Sequence, residues 1–187
     1  AGRMDLSSLL LDRKRAILDR WRAAIFGAYP PSARQFLSSE SDAFANPVGA
    51  AIRQATEAAC DWLARDGAGD PPREAMDGML RARAVQELAP GQALRFVFEL
   101  REALRAELSD FMSRPQGLGL WLDLEAKLDA LALLAFEIYA ECREKTFEIR
   151  IDAIKRDALG IAAKRSAPLF VRGAPRPLAP DANGGCA

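Results

Sequence analysis

Leu80 to Leu108 reads LRARAVQELAPGQALRFVFELREALRAEL, and the proline in its middle decides the fold. Before Pro90, Met76, Met79, Leu80, Ala84 and Leu88 recur at helical spacing, with Arg81, Arg83 and Gln86 between them. After it, Leu94, Val97, Phe98, Leu100, Leu104 and Leu108 do the same. The segment is therefore two amphipathic helices joined by a short break, because a proline starts a helix well and continues one badly.

The same pattern extends outward. A first helix is predicted over about Leu6 to Ala28, with Leu10, Ile17, Trp21, Ala24, Ile25 and Ala28 as its stripe. Tyr29-Pro30-Pro31 ends it, and one extra turn is expected over Ser32 to Leu37. Asn46 caps a second helix, with Pro47 at its first position, and Asp66-Gly67-Ala68-Gly69 closes it. The third runs from Asp70 to about Leu88, and the fourth from Pro90 to the break at Arg114-Pro115-Gln116-Gly117. The fifth is long, Leu118 to Lys164. Its first half carries Leu120, Leu124, Leu128, Leu131, Ala135, Ile138 and Cys142, with Leu122, Leu133, Leu134 and Phe136 widening the apolar surface. That width predicts deep burial. Beyond it Phe147, Ile151, Ile154, Ala158 and Ile161 alternate by four and three, the spacing of a heptad seam, between charged flanks. No alternating strand pattern persists. The fold class is all-α: a five-helix bundle with a long C-terminal helix. The domain boundaries fall at 4–165 for the helical body and 166–187 for a tail rich in Pro and Gly.

Composition removes several functions. Lys plus Arg and Asp plus Glu both number 26, so no bulk charge favours nucleic acid or an anionic membrane. No apolar run approaches the ~20 residues of a membrane span, and no signal sequence is visible. The chain contains 0 His, which excludes a His-ligated haem or zinc, a catalytic triad using His and an imidazole pH switch. Cys60, Cys142 and Cys186 are scattered, which fits a reducing cytoplasm rather than a disulfide framework. No cofactor is expected.

Few residues invite chemistry. Arg81 and Arg83, two apart, cannot share a helix face. One is expected to turn inward to a carboxylate or carbonyl and the other to face water; with Gln86 they form either a structural pair or a signalling contact. Glu125 with Asp129, and Glu137 with Glu141, lie on shared helix faces. A di-iron bundle would need His beside such pairs, so solvated faces and ion pairing with Lys127 or Arg143 are the reading. Trp21, Trp62, Trp121, Phe96, Phe98, Phe136 and Tyr139 are core residues or the lining of a ligand cavity. Phe147, Ile151 and Ile154 are candidates for a docking seam. Cys186, penultimate on the tail, is the candidate reactive thiol.

These fragments resemble one family. Arg81, Arg83, Ala84, Val85 and Gln86, then Pro90 and the pair Gln92-Ala93 before an apolar helix, are similar to the amino-terminal domain of RsbRD proteins. Those domains are the input modules of RsbT co-antagonists. Asn46-Pro47 after Phe44, and Trp21 followed by Tyr29-Pro30, fit the same pattern, and the resemblance spans about Leu9 to Lys155. It implies a non-enzymatic sensory domain that acts through a regulatory protein partner and commonly dimerises. Because the related RsbR input domain is a globin without haem, a globin-like arrangement and a simpler bundle both stay open. In the family a STAS output domain usually follows; here only the tail follows Lys164, so a freestanding module is expected. An alternative is an accessory or adaptor subunit of a redox or sulfur-handling assembly, with Cys186 as anchor or thiol arm; the arm faintly resembles those of DsrC- and TusE-type sulfur carriers.

Overall fold

Helix α1, Leu6–Gly27, buries Leu6, Leu9, Leu10, Ile17, Leu18, Trp21, Ile25 and Phe26. The computed structural model describes residues 6–39, 42–65, 67–115 and 117–166, with side chains through 159. Ala24 and Ala28, expected in the stripe, are exposed. The reason is that α1 packs against two helices, α3 (Pro47–Ala64) and α5 (Pro90–Met112), so Leu18 and Phe26 widen and shift its buried face.

The predicted extra turn is a full helix, α2, Pro31–Ser39, so the described residues hold six helices rather than five. Pro31 suits a first turn, where no amide donor is needed. At the other end, the Asn46 side-chain amide donates to the carbonyls of Phe36 at 3.3 Å and Leu37 at 3.0 Å. Those are carbonyls that a helix end leaves without partners. The same Asn46 caps α3 by accepting from the Gly49 amide at 2.8 Å. A Cβ on Gly49 would stand 2.6 Å from the Leu37 carbonyl oxygen, so the α2–α3 corner requires glycine there.

Helix α4, Arg73–Val85, begins three residues later than predicted. Pro71 and Pro72 are consecutive, and a residue before proline avoids the helical region, so the helix starts only after the second. It stops three residues short of Leu88 because Glu87 takes a left-handed φ of 58°. Ala89 then donates to the Gln92 side chain at 3.3 Å, and Pro90 opens α5.

Helix α6 runs Gly117–Ser166. The chain divides into two compact units, one through Glu148 and one from Ile149. In the first, a single core joins α1 and α3–α5 to Leu124, Leu128, Leu131, Ala135, Ile138 and Tyr139 of α6. Leu122, Leu133 and Phe136 are exposed, against the deep burial expected of them, and so is Phe98. Only one face of this part of α6 packs inward, although its sequence is apolar on more than one. In the second unit Ile151, Ile154 and Leu159 are exposed. Ile161, the last residue of the expected seam, lies within α6 but beyond the described side chains; the tail with Cys186 lies outside the described residues.

Candidate functional site

The α4–α5 connection gathers the polar residues the sequence singled out. Arg83 and Arg81, two residues apart on α4, have opposite fates. Arg81 stays at the surface and pairs with Asp77 one turn earlier, at 2.7 Å. Arg83 turns inward and is 5% exposed. Its Nη1 donates to the backbone carbonyls of Ala93 at 3.0 Å and Gln92 at 3.3 Å, in the first turn of α5. Its guanidinium lies 5.3 Å from the centroid of the Phe96 ring. No carboxylate lies within ion-pair distance of it among the described residues, and its Nε is sealed from solvent without a partner.

That arrangement is expensive. An ion without a counter-charge in a protein interior costs on the order of several kcal/mol even after relaxation. A lysine could shed its proton; arginine does not, because its guanidinium stays charged across the physiological range. Burial lowers the Arg83 pKa from its ordinary value, with Tyr29 and Glu99 acting in the opposite sense. Two carbonyl dipoles and an aromatic face compensate only in part. Arg101 provides the control. Its Nε is also sealed, but it stands 2.7 Å from Glu125 and its Nη2 2.9 Å from Asp129, so its charge is matched.

Beside Arg83 lies an open-mouthed cavity of 430 Å³. Gln86, the residue after the last turn of α4, lines it with Gln92 and Arg95 of α5. Ala28, Tyr29 and Pro30, which follow α1, form the opposite side, and Leu88 adds an apolar wall. Tyr29, Pro30, Arg83, Gln86 and Gln92 come from motifs separated in the chain, and the fold brings them to one place. Glu99 is near but is held by Arg95 on its own helix at 3.2 Å; burial is the main cause that raises its pKa.

The same connection is tied to α6. The Tyr139 hydroxyl donates to the Leu88 carbonyl. Arg143 donates to the Ala84 carbonyl at 3.5 Å, and its guanidinium covers the Phe147 ring at 4.8 Å from the centroid. One side chain thus touches both the end of α4 and the first residue of the apolar seam.

The aromatics do not line a common cavity: Trp21, Trp62, Trp121, Phe96 and Tyr139 are buried in the core, and Phe98 and Phe136 are exposed. Trp21 donates to the Phe96 carbonyl at 2.7 Å and stacks on its ring. The paired carboxylates are ion-paired, with partners other than those expected. Arg73 holds Glu141 at 2.6 Å and Glu137 at 3.6 Å, while Arg101 and Arg105 share Glu125. The described residues contain no cluster of three potential metal ligands. Cys60 and Cys142 are free and buried, and burial pushes the Cys60 thiol up to about 12. Among the described residues no helix is long and apolar enough to cross a membrane.

The comparisons with known proteins give the family directly. Residues 15–154 match the model of the RsbT co-antagonist protein RsbRD N-terminal domain, and the chain belongs to that family of regulatory signalling domains. Comparison with curated proteins gives no match, and neither does comparison with solved structures.

Sequence reasoning picked Arg83 and Gln86 but missed Arg95, Leu88, Tyr139 and Arg143 as their neighbours. Tyr29, Pro30 and Gln92 were present as motif residues without a role. No local signal links Arg143 or Tyr139 to α4, because those contacts depend on tertiary packing between residues 51 and 59 apart.

Proposed function

We propose that this protein is a non-enzymatic signal-input domain of stress-response regulation that works through protein–protein contacts. Its input side is the α4–α5 connection, around Arg83 and Gln86. Its output side is the α6 seam of Phe147, Ile151 and Ile154, which forms a homodimer and offers a surface to a regulatory partner. No role for nucleic acid or membrane insertion is invoked, and the free thiols suit a reducing cytoplasm.

The observation that carries the reading is the exposure of that seam. Phe147, Ile151 and Ile154 are 49%, 49% and 67% exposed, at the spacing that suits a helix partner and with charge on both flanks. The flanks also favour an orientation. Antiparallel pairing with Ile151 opposite the second copy's Ile154 brings Glu148 toward Lys155 and Arg150 toward Asp157. Parallel pairing in register brings Arg150 toward Lys155, two positive charges. Such exposed pairs contribute little energy, about 0–1 kcal/mol each, but they select orientation. Two heptads are short for a stable coiled coil, so the first unit contributes to the interface as well.

Sedimentation of wild type and of the double variant Ile151→Asp, Ile154→Asp tests this. The wild type should sediment as a dimer and the variant as a monomer with unchanged helicity. A wild type that is monomeric at high micromolar concentration ends the proposal.

A further inference from the structure

We propose that the cavity beside Arg83 binds a small organic anion, whose carboxylate is held by the Arg83 guanidinium. The proposal deepens the signal-input reading, on which it rests, by naming the class of molecule the domain reads.

Three observations support it. The first is the missing counter-charge. Arg83 is almost fully buried, has no carboxylate partner among the described residues and spends both its hydrogen bonds from Nη1 on neutral carbonyls. Its Nε is unpartnered. With Nη1 engaged by two carbonyls and Nε sealed, Nη2 is the guanidinium nitrogen left to give a carboxylate a charge-assisted hydrogen bond. A bound anion would supply the compensation that Glu125 and Asp129 supply to Arg101.

The second is the size and lining of the space. At 430 Å³ it falls within the range of small-molecule sites and far exceeds an inorganic ion. Ala28, Pro30 and Leu88 offer apolar surface to a short carbon body. Gln86 and Gln92 carry amides that can donate or accept, and Gln92 already accepts from the Ala89 amide. Arg95 stands at the rim, its charge shared with Glu99. With Arg83, Arg95 and Glu99 charged, one positive charge remains.

The third is position. Ala84 and Leu88, on either side of Gln86, are the residues whose carbonyls receive Arg143 and Tyr139 of α6. An anion drawn to Arg83 would order the segment that those side chains hold. It would thereby favour one placement of Arg143 over Phe147. A ligand that distinguishes two arrangements of this connection shifts their populations by its difference in affinity for them.

The experiment is a titration of the full chain followed by heteronuclear NMR, with butyrate, succinate and inorganic phosphate as probes and chloride at matched ionic strength as the control. Saturable shifts at Arg83, Gln86 and Gln92 with a carboxylate probe, absent with chloride, are expected. Losing a charge-assisted hydrogen bond should weaken binding by about tenfold or more in Arg83→Gln. If that variant does not fold, Ala28→Trp decides, because it fills the cavity mouth from an exposed position and leaves every Arg83 contact in place. Its expected result is equal loss of the shifts with the helical spectrum retained. No saturable shift with either carboxylate, saturation by phosphate alone, or binding that survives Ala28→Trp overturns the proposal. Sedimentation of the same samples separates the two ideas: a dimer without ligand binding removes the anion site alone, and ligand binding by a monomer removes the seam alone.

Discussion

Two stretches of α6 carry the same spacing and meet opposite surroundings. Leu124, Leu128, Leu131, Ala135, Ile138 and Cys142 follow one another by four and three, and all are buried. Phe147, Ile151, Ile154 and Ala158 follow the same rule, and all are exposed. Leu131 is 1% exposed and Ile154 is 67%. Periodicity therefore reports that a helix has an apolar face; it does not report whether anything covers that face. What separates the two stretches is the number of neighbours the rest of the chain supplies. The first stretch shares a core with α1 and α3–α5; from Ile151 on, the second lies in a unit that contains none of those helices.

The sharpest way to break this comparison is truncation on each side. Leu131→Ala should lower stability by about 2–5 kcal/mol, the range for deleting buried aliphatic atoms and leaving a cavity. Ile154→Ala should change the stability of the monomer by no more than about 0.5 kcal/mol, as for most surface positions. Denaturant unfolding at low protein concentration reads both without the contribution of association. Equal losses at the two positions would mean that the seam is packed and that the contrast is false.

A second test lies where one stretch gives way to the other. Arg143 is half-buried, bonds the Ala84 carbonyl and covers Phe147. Arg143→Ala removes one hydrogen bond and one cation–π contact, each worth about 0.5–1.5 kcal/mol. A loss of about 1–3 kcal/mol is expected from the two together, with altered solvent exposure of Phe147 seen by NMR. If the Phe147 resonances do not respond, the link from the α4 end to the seam is geometric only.

How much of this was legible beforehand follows the same division. The helices were readable because their start signals are local: the Asn46-Pro47 pair and Pro90 write the starts of α3 and α5 in the residues themselves. α2 was underread because the groups that satisfy its last carbonyls come from Asn46, outside the segment itself. The start of α4 was misplaced because Pro71 looked like a first-turn proline, and Pro72 after it moved the helix on. Arg83 was legible as one of two arginines that could not share a face, but which one turned inward was not. Its partners are carbonyls of Gln92 and Ala93, which carry no side-chain signature. The burial of Leu122, Leu133 and Phe136 was misjudged for the reason the seam teaches: apolar residues mark a face, and packing chooses among faces.

The smallest expected effect gives the finest discrimination. Leu133 is two residues from Leu131, has the same side chain and is 67% exposed. Leu133→Glu should leave the unfolding midpoint of the monomer within about 0.5 kcal/mol of wild type, because no buried contact is lost and the new carboxylate stays in water. Buried placement would instead strand a charge in the core and destabilise by several-fold more. The variant also reports on association. Leu118, Leu122, Leu133 and Phe136 are exposed large apolar residues of the first unit, the unit expected to support the two short heptads. If they belong to the interface, Leu133→Glu should weaken the dimer in sedimentation while the monomer stays as stable as before. A dimer unchanged by Leu133→Glu yet abolished by Ile151→Asp with Ile154→Asp would confine the interface to the seam. A monomer destabilised by Leu133→Glu would show that α6 is covered on two faces, and the contrast between its stretches would have to be redrawn.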